Sequence, residues 1–188
     1  MPPWLENIAG KGYLVLMDVF SHGLWGGITV GRSSRKSYWT AVGFGMAPDV
    51  IAFGPFMVTR LLNQGTEFFS HLGRRPELAT IPEYVHSTYN VTHSLVVFAT
   101  AFAVVWAIRR KPMVEMLAWG LNICMDIPTH GDRFFPTPFL WPVSDFHVNG
   151  TPWSSPYIFF PNWGLLVILY AWFFYRKARL KRQKETPE

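Results

Sequence analysis

Cysteine is almost absent from this 188-residue chain: Cys124 stands alone, so no intrachain disulfide can form and thiols say nothing about the redox compartment. Charge is scarce too. Only 15% of the residues are charged, low for a soluble protein, whereas 49% are apolar and 17% aromatic. There is no internal repeat and no low-complexity tract. The opening Met-Pro-Pro-Trp-Leu-Glu lacks the basic stretch of a secretory leader, so no cleaved signal peptide is expected. Neither a Gly-x-Ser-x-Gly elbow nor a Gly-rich phosphate loop occurs, which disfavours serine catalysis and nucleotide binding. The net charge of +5 does not imply nucleic acid, because the basic residues cluster beside apolar runs as membrane topology requires.

What is present is a set of long apolar runs. A spanning helix needs roughly 20 mostly apolar residues. Five segments meet or approach that: about Gly12–Gly31, Tyr38–Leu62, Thr88–Ile108, Pro112–Ile127 and Tyr157–Tyr175. The expected fold is therefore an all-α polytopic bundle in one integral membrane domain, residues 1–188, with a basic tail at 176–188. Gly43, Gly45, Pro48, Gly54 and Pro55 punctuate the second segment and predict a broken helix near Met46-Ala-Pro-Asp49. A short interfacial helix is expected at Thr66–Gly73, and a long Pro- and aromatic-rich outer loop at 129–156. If five helices alternate, twelve of the 17 basic residues fall on one side, in the clusters Arg32–Lys36, Arg109–Lys111 and Arg176–Lys184. The positive-inside rule makes that side cytoplasmic and places the N-terminus outside.

Ionisable residues interrupt these runs. Asp18 and His22 are four apart and share a helix face; Asn122 and Asp126 do the same, with His130 following Pro128. His86, Asn90 and His93 form another such face, and Asp49 lies inside the second segment. In this topology Asp18, His22, His93, Asp126 and His130 all map to the outer half of the bilayer, with Asp49 nearer mid-depth. A plain helix-centre Asp costs about 2.5–3.5 kcal/mol to insert, whereas each Leu or Val returns only about 0.3–0.6. A divalent cation held by carboxylate and imidazole is the simplest compensation, and zinc, manganese or iron suits that donor set. Taken singly the residues have plainer roles: Asp18–His22 as an intrahelical pair, Asp49 as a helix cap, and Asp132, Asp145 and His71 as solvated loop residues.

Four short pieces carry a family resemblance: Asp18-x-x-Ser-His22, Pro48-Asp49, Thr92-His93-Ser94, and Asp126-x-x-Thr-His130 followed by Pro138-Phe-Leu-Trp-Pro142. In order and spacing the chain resembles the membrane-bound, metal-dependent hydrolases of bacterial inner membranes. That family is in turn distantly similar to the zinc-dependent phospholipase C and P1 nuclease group, where helices supply His and Asp ligands, including a His-x-x-x-Asp pair. Here Asn122 occupies the position of that His, so another imidazole, such as His86 or His147, is a candidate substitute.

The resemblance implies a hydrolase at the outer face of the bacterial inner membrane. Its metal ligands would be Asp18, His22, Asp49, His93, Asp126 and His130, with zinc as the first choice of ion. An uncoordinated carboxylate, Asp49 or Asp145, would act as general base on a metal-activated water. The substrate expected from this location is a lipid or lipid-linked phosphoester or ester, with the aromatic loop receiving its acyl part. The rival reading is a non-catalytic membrane protein whose polar cluster is structural or conducts ions or protons. A di-iron lipid oxidase would need more histidines than the six present.

Overall fold

A computed structural model describes residues 13–65, 80–132 and 134–185, and the expected interfacial helix at 66–73 lies outside them. The described chain is all-helical, with an isolated bridge between Gly131 and Phe134 and six α-helices. These are α1 (Tyr13–Thr29), α2 (Arg35–Gln64), α3 (Glu83–Thr92), α4 (Leu95–Arg109), α5 (Leu117–Thr129) and α6 (Pro156–Glu185). A short 3-10 turn, Val114–Met116, leads into α5.

Two helices, α2 and the Pro156–Leu180 part of α6, are long and apolar enough to cross a membrane. The bent pair α3–α4 makes a third if counted as one span. That is fewer than the five segments the hydropathy suggests. The described part of α1 has 17 residues and α5 has 13, about 26 Å and 20 Å of helix, short of a hydrocarbon core of roughly 30 Å. Apolar side chains face outward all the same. No residue of α4 is buried, and Val167, Ile168 and Phe174 of α6 are each more than half exposed.

The expected break in the second segment does not occur. α2 runs unbroken for 30 residues through both Pro48 and Pro55. A proline inside a helix costs about 3 kcal/mol, through its missing N–H and a clash with the preceding turn. Packing offsets that cost here. Ser37, Ala41, Gly45, Pro48, Asp49, Ala52 and Phe56 form one buried stripe, with α1 and α5 laid along it. Gly45 lets α1 and α2 approach to backbone contact, since a Cβ there would sit 2.6 Å from the His22 carbonyl oxygen.

The break lies instead in the third segment. Between α3 and α4 the chain bends by 57°, with His93 at the bend. Ser94 explains the restart: its hydroxyl caps α4 by accepting from the Val96 and Val97 amides at 3.1 and 3.2 Å. The same hydroxyl donates to the Trp141 carbonyl, and the Leu95 amide donates to Phe139 O at 2.9 Å, so the loop between α5 and α6 is pinned to the bend. A core of Ala52, Phe56, Ile81, Val85, Tyr89 and Phe135 locks α3 against α2 beside it.

Candidate metal centre

Four chain segments meet inside the bundle. α1 supplies Asp18 and His22, α2 supplies Asp49, and the α3–α4 bend supplies His93. The last turns of α5 supply Asn122 and Asp126, with His130 at its C-cap. The i, i+4 spacings put each pair on one face. The bend does the same for His93, which an unbroken helix would carry past the site. His22, Asp49, His93, Asn122 and Asp126 are all buried.

Asp126 is the hub. Its Oδ1 lies 3.3 Å from His22 Nε2 and 3.3 Å from His130 Nδ1, and its Oδ2 lies 3.3 Å from His93 Nε2. Asp18 Oδ1 is 3.6 Å from the same His22 Nε2. Asp49 faces the other way round the ring: Oδ2 is 3.2 Å from His22 Nδ1 and Oδ1 is 3.3 Å from His93 Nε2. Two sets of donors crowd closely enough to hold an ion, Asp18–Asp126–His130 and His22–Asp49–Asp126, with ligand atoms within 4.8 Å in each.

Proton accounting sharpens this geometry. The Asn122 amide nitrogen approaches His22 Nδ1 at 2.7 Å, Asp49 Oδ2 at 2.8 Å and Gly45 O at 3.0 Å, yet it has only two hydrogens. Two of the three can be served: the amide donates to Asp49 and Gly45, and His22 Nδ1, left without a donor, carries a hydrogen of its own and donates to Asp49. His22 then turns a bare Nε2 toward Asp18 and Asp126. His93 is arranged alike, with Nδ1 placed 3.0 Å from Thr92 Oγ1 and 3.3 Å from the Tyr89 carbonyl, so its Nε2 faces Asp49 and Asp126. Lone pairs aimed at carboxylates repel unless a proton or a metal cation lies between them. Both Asp126 oxygens, His130 Nδ1 and Asn122 Oδ1 are buried with no hydrogen-bond partner, although the carboxylate and imidazole stand at ion-pair distance. Buried orphans of this kind are rare, and a cation coordinated from several directions accounts for them. The donor set fits a divalent metal.

Other candidates stand apart. Asp145 is exposed in the loop between α5 and α6, outside both donor sets. Its carbonyl lies 3.1 Å from His147 Nδ1, and His147 Nε2 lies 3.0 Å from Asp132 Oδ1. The Asp145 carbonyl and then the Asp132 carboxylate raise the His147 pKa above its usual value. His86 stacks on Phe135 at 4.6 Å, so neither His86 nor His147 substitutes at the Asn122 position. His71 lies outside the described residues. Tyr89, unremarked by sequence reasoning, stacks on the His93 ring at 3.8 Å and fixes its plane. Its spacing of four before His93 was the available signal.

Two cavities flank the centre. One of about 320 Å³ lies at the end of α5, walled by His130, Phe134 and the strap Asn149–Trp153. The strap is tied to α5 by Gly150 N–His130 O at 2.8 Å, Thr151 N–Pro128 O at 3.0 Å and Trp153 N–Thr129 O at 3.0 Å. The other, a slot of about 40 Å³, reaches Asp18 and His22 between Met125, Trp153, Phe159 and Trp163. Thr129 and Trp153 wall both.

Set against known proteins, the chain matches no family model, no curated protein and no solved structure.

Proposed function

We propose that the chain is a metal-dependent hydrolase of the membrane, acting on a phosphoester or ester of a lipid or lipid-linked substrate. One observation carries the reading: three carboxylates and three imidazoles converge, with the Asp126 oxygens and His130 Nδ1 buried at ion-pair distance but without a hydrogen bond. Zinc suits these donors, and the two sets that share Asp126 have room for up to two ions. The resemblance of the Asp18, Asp49, His93 and Asp126 motifs to inner-membrane hydrolases points the same way.

When bound, the metal supplies Lewis-acid polarisation of the scissile carbonyl or phosphoryl oxygen and acidifies a water. The chain's own residues do the rest. Asp49, held by Asn122, orients His22 through its Nδ1 in the manner of a carboxylate behind a metal-binding imidazole, and the Tyr89 carbonyl and Thr92 hydroxyl stand behind His93 at its Nδ1. Asp49 Oδ1 is also the base this reading uses, since Asp145 lies in the exposed loop. The cavity beside His130 takes the polar part of the substrate, and the slot between Trp153, Phe159 and Trp163 leads an acyl chain toward lipid. The membrane arrangement we adopt is five segments, with α1 and α5 as short spans, the centre toward the outer leaflet and the basic C-terminal tail cytoplasmic.

Elemental analysis of the detergent-purified chain and of His22→Ala, Asp49→Ala and Asp126→Ala tests the proposal. Substantial divalent metal in the parent and its loss in the variants is expected, followed by phosphodiester or phospholipid cleavage that depends on the metal. Full occupancy in all three variants would sink the metal assignment. A metal-free parent that conducts ions in proteoliposomes, dependent on Asp18 or Asp49, would replace it with an ion pathway.

A further inference from the structure

A cavity larger than either of the two beside the metal centre lies away from it, at the other end of α1. It has a volume of about 660 Å³, within the range of roughly 300–1,000 Å³ typical of small-molecule sites. One wall is the turn Gly31–Ser34 and the start of α2 at Arg35; the other is the stretch of α6 from Tyr170 to Leu180. The two walls are joined by the Tyr38 and Tyr170 hydroxyls at 2.9 Å, and Tyr170 also donates to Leu24 O at 2.8 Å.

Four cations line this space, Arg32, Arg35, Arg176 and Lys177, and no carboxylate does. None of the four is in an ion pair among the described residues. Glu115 bonds to this part of α2, accepting from Ser37 Oγ at 2.6 Å, and is not on the wall. The Arg176 guanidinium lies over the Trp172 ring, 5.1 Å from its centroid, which holds the planar fork at the cavity wall. The positive end of the α2 dipole, capped by Ser34, opens onto the same space. The remaining wall is apolar: Trp172, Phe173, Phe174 and Leu180, of which Trp172, Phe174 and Leu180 are also exposed on the outer face of α6.

We propose that this cavity binds one anionic phospholipid of the cytoplasmic leaflet, its phosphate among the four cations and its acyl chain along the aromatic face of α6. Charge complementarity selects the anion. The apolar half of the wall, continuous with the exposed face of α6, selects a lipid over a free phosphate. Basic pockets between membrane helices on the cytoplasmic side commonly hold lipid phosphates, and interfacial Trp and Tyr place the cavity at headgroup level. The site is separate from the metal centre and does not depend on hydrolase activity.

The test uses the full-length protein, delipidated in detergent and returned to nanodiscs of phosphatidylcholine with increasing phosphatidylglycerol. Native mass spectrometry after release then counts retained lipid. One phosphatidylglycerol per chain, not displaced by inorganic phosphate or glycerol phosphate at equal concentration, is expected. Arg32→Gln/Arg176→Gln/Lys177→Gln should weaken retention at least tenfold, and the single change Arg176→Gln should weaken it measurably should the triple variant fail to fold. Arg109→Gln/Arg110→Gln/Lys111→Gln removes equal charge from the same side and should leave retention within twofold. Equal loss in that control means diffuse attraction to the tail and turns, which overturns the site. Displacement by inorganic phosphate overturns the lipid assignment, and no selective retention overturns both.

Discussion

Asn122 lies among the candidate ligands without an ionisable group of its own. Its amide fixes Asp49 and, through it, His22, so it acts on ligand orientation rather than by ligation. Asn122→Ala should therefore lower metal affinity about 10–100-fold, the usual cost of a lost orienting partner, without abolishing binding, as competition with a chelating dye would report. Asp126 belongs to both donor sets, whereas Asp18 belongs to one. Asp126→Ala should empty the centre and Asp18→Ala should leave about half the parent's metal; equal loss in both would argue against two sets. In the loop between α5 and α6, His147 is held above its usual 6.5 by the Asp145 carbonyl and the Asp132 carboxylate. A raised folded value means that its contribution to stability is complete below 6.5 and fades as pH rises through the folded value. The pair is solvent-exposed, so that contribution stays under about 1 kcal/mol. An NMR titration should place the His147 midpoint above 6.5, and Asp132→Asn should lower it only partly, because the Asp145 carbonyl remains.

At the scale of elements, two local features place the ligands. Gly45 allows α1 and α2 to touch backbone to backbone, which brings His22 against Asp49. Gly45→Val would push a side chain into the His22 carbonyl and should cost about 1–3 kcal/mol as overpacking, with metal affinity falling alongside thermal stability. Ser94 starts α4 and anchors the loop between α5 and α6 at the bend that presents His93. Ser94→Ala should cost about 0.5–2 kcal/mol, in the range of a lost helix cap, measured as a lower thermal midpoint. The prolines of α2 were a poor guide to the break because their cost is local, whereas the stripe from Ser37 to Phe56 is packed along most of the helix. The real bend was signalled more quietly, by the polar run Thr92-His93-Ser94 just before the apolar run that starts at Leu95.

At the scale of the whole molecule, the open quantity is orientation across the membrane. In the proposed arrangement, a Cys124→Ala background carrying Val143→Cys should react with an impermeant maleimide added outside intact cells, since Val143 is exposed in the loop between α5 and α6. Arg110→Cys, at the C-cap of α4, should react only after permeabilisation. The opposite pattern would invert the topology, and reaction of both in intact cells would contradict the five-segment arrangement. The outward-facing apolar residues of α4 and α6 are consistent with lipid around the bundle.

Composition and patterning were enough to establish a helical chain with apolar segments and to single out Asp18, His22, Asp49, His93, Asp126 and His130 as out of place within them. Spacing of three and four residues paired the ligands within each helix, because that periodicity is a property of the backbone. Contacts between helices are not. That Asp126 is shared, that Asn122 supports Asp49, that Tyr89 backs His93 and that Asp145 stays outside all depend on how α1, α2 and α5 pack at their glycines and where the third segment bends. Those choices follow from summed packing across residues far apart in the chain, and only the folded bundle decides them.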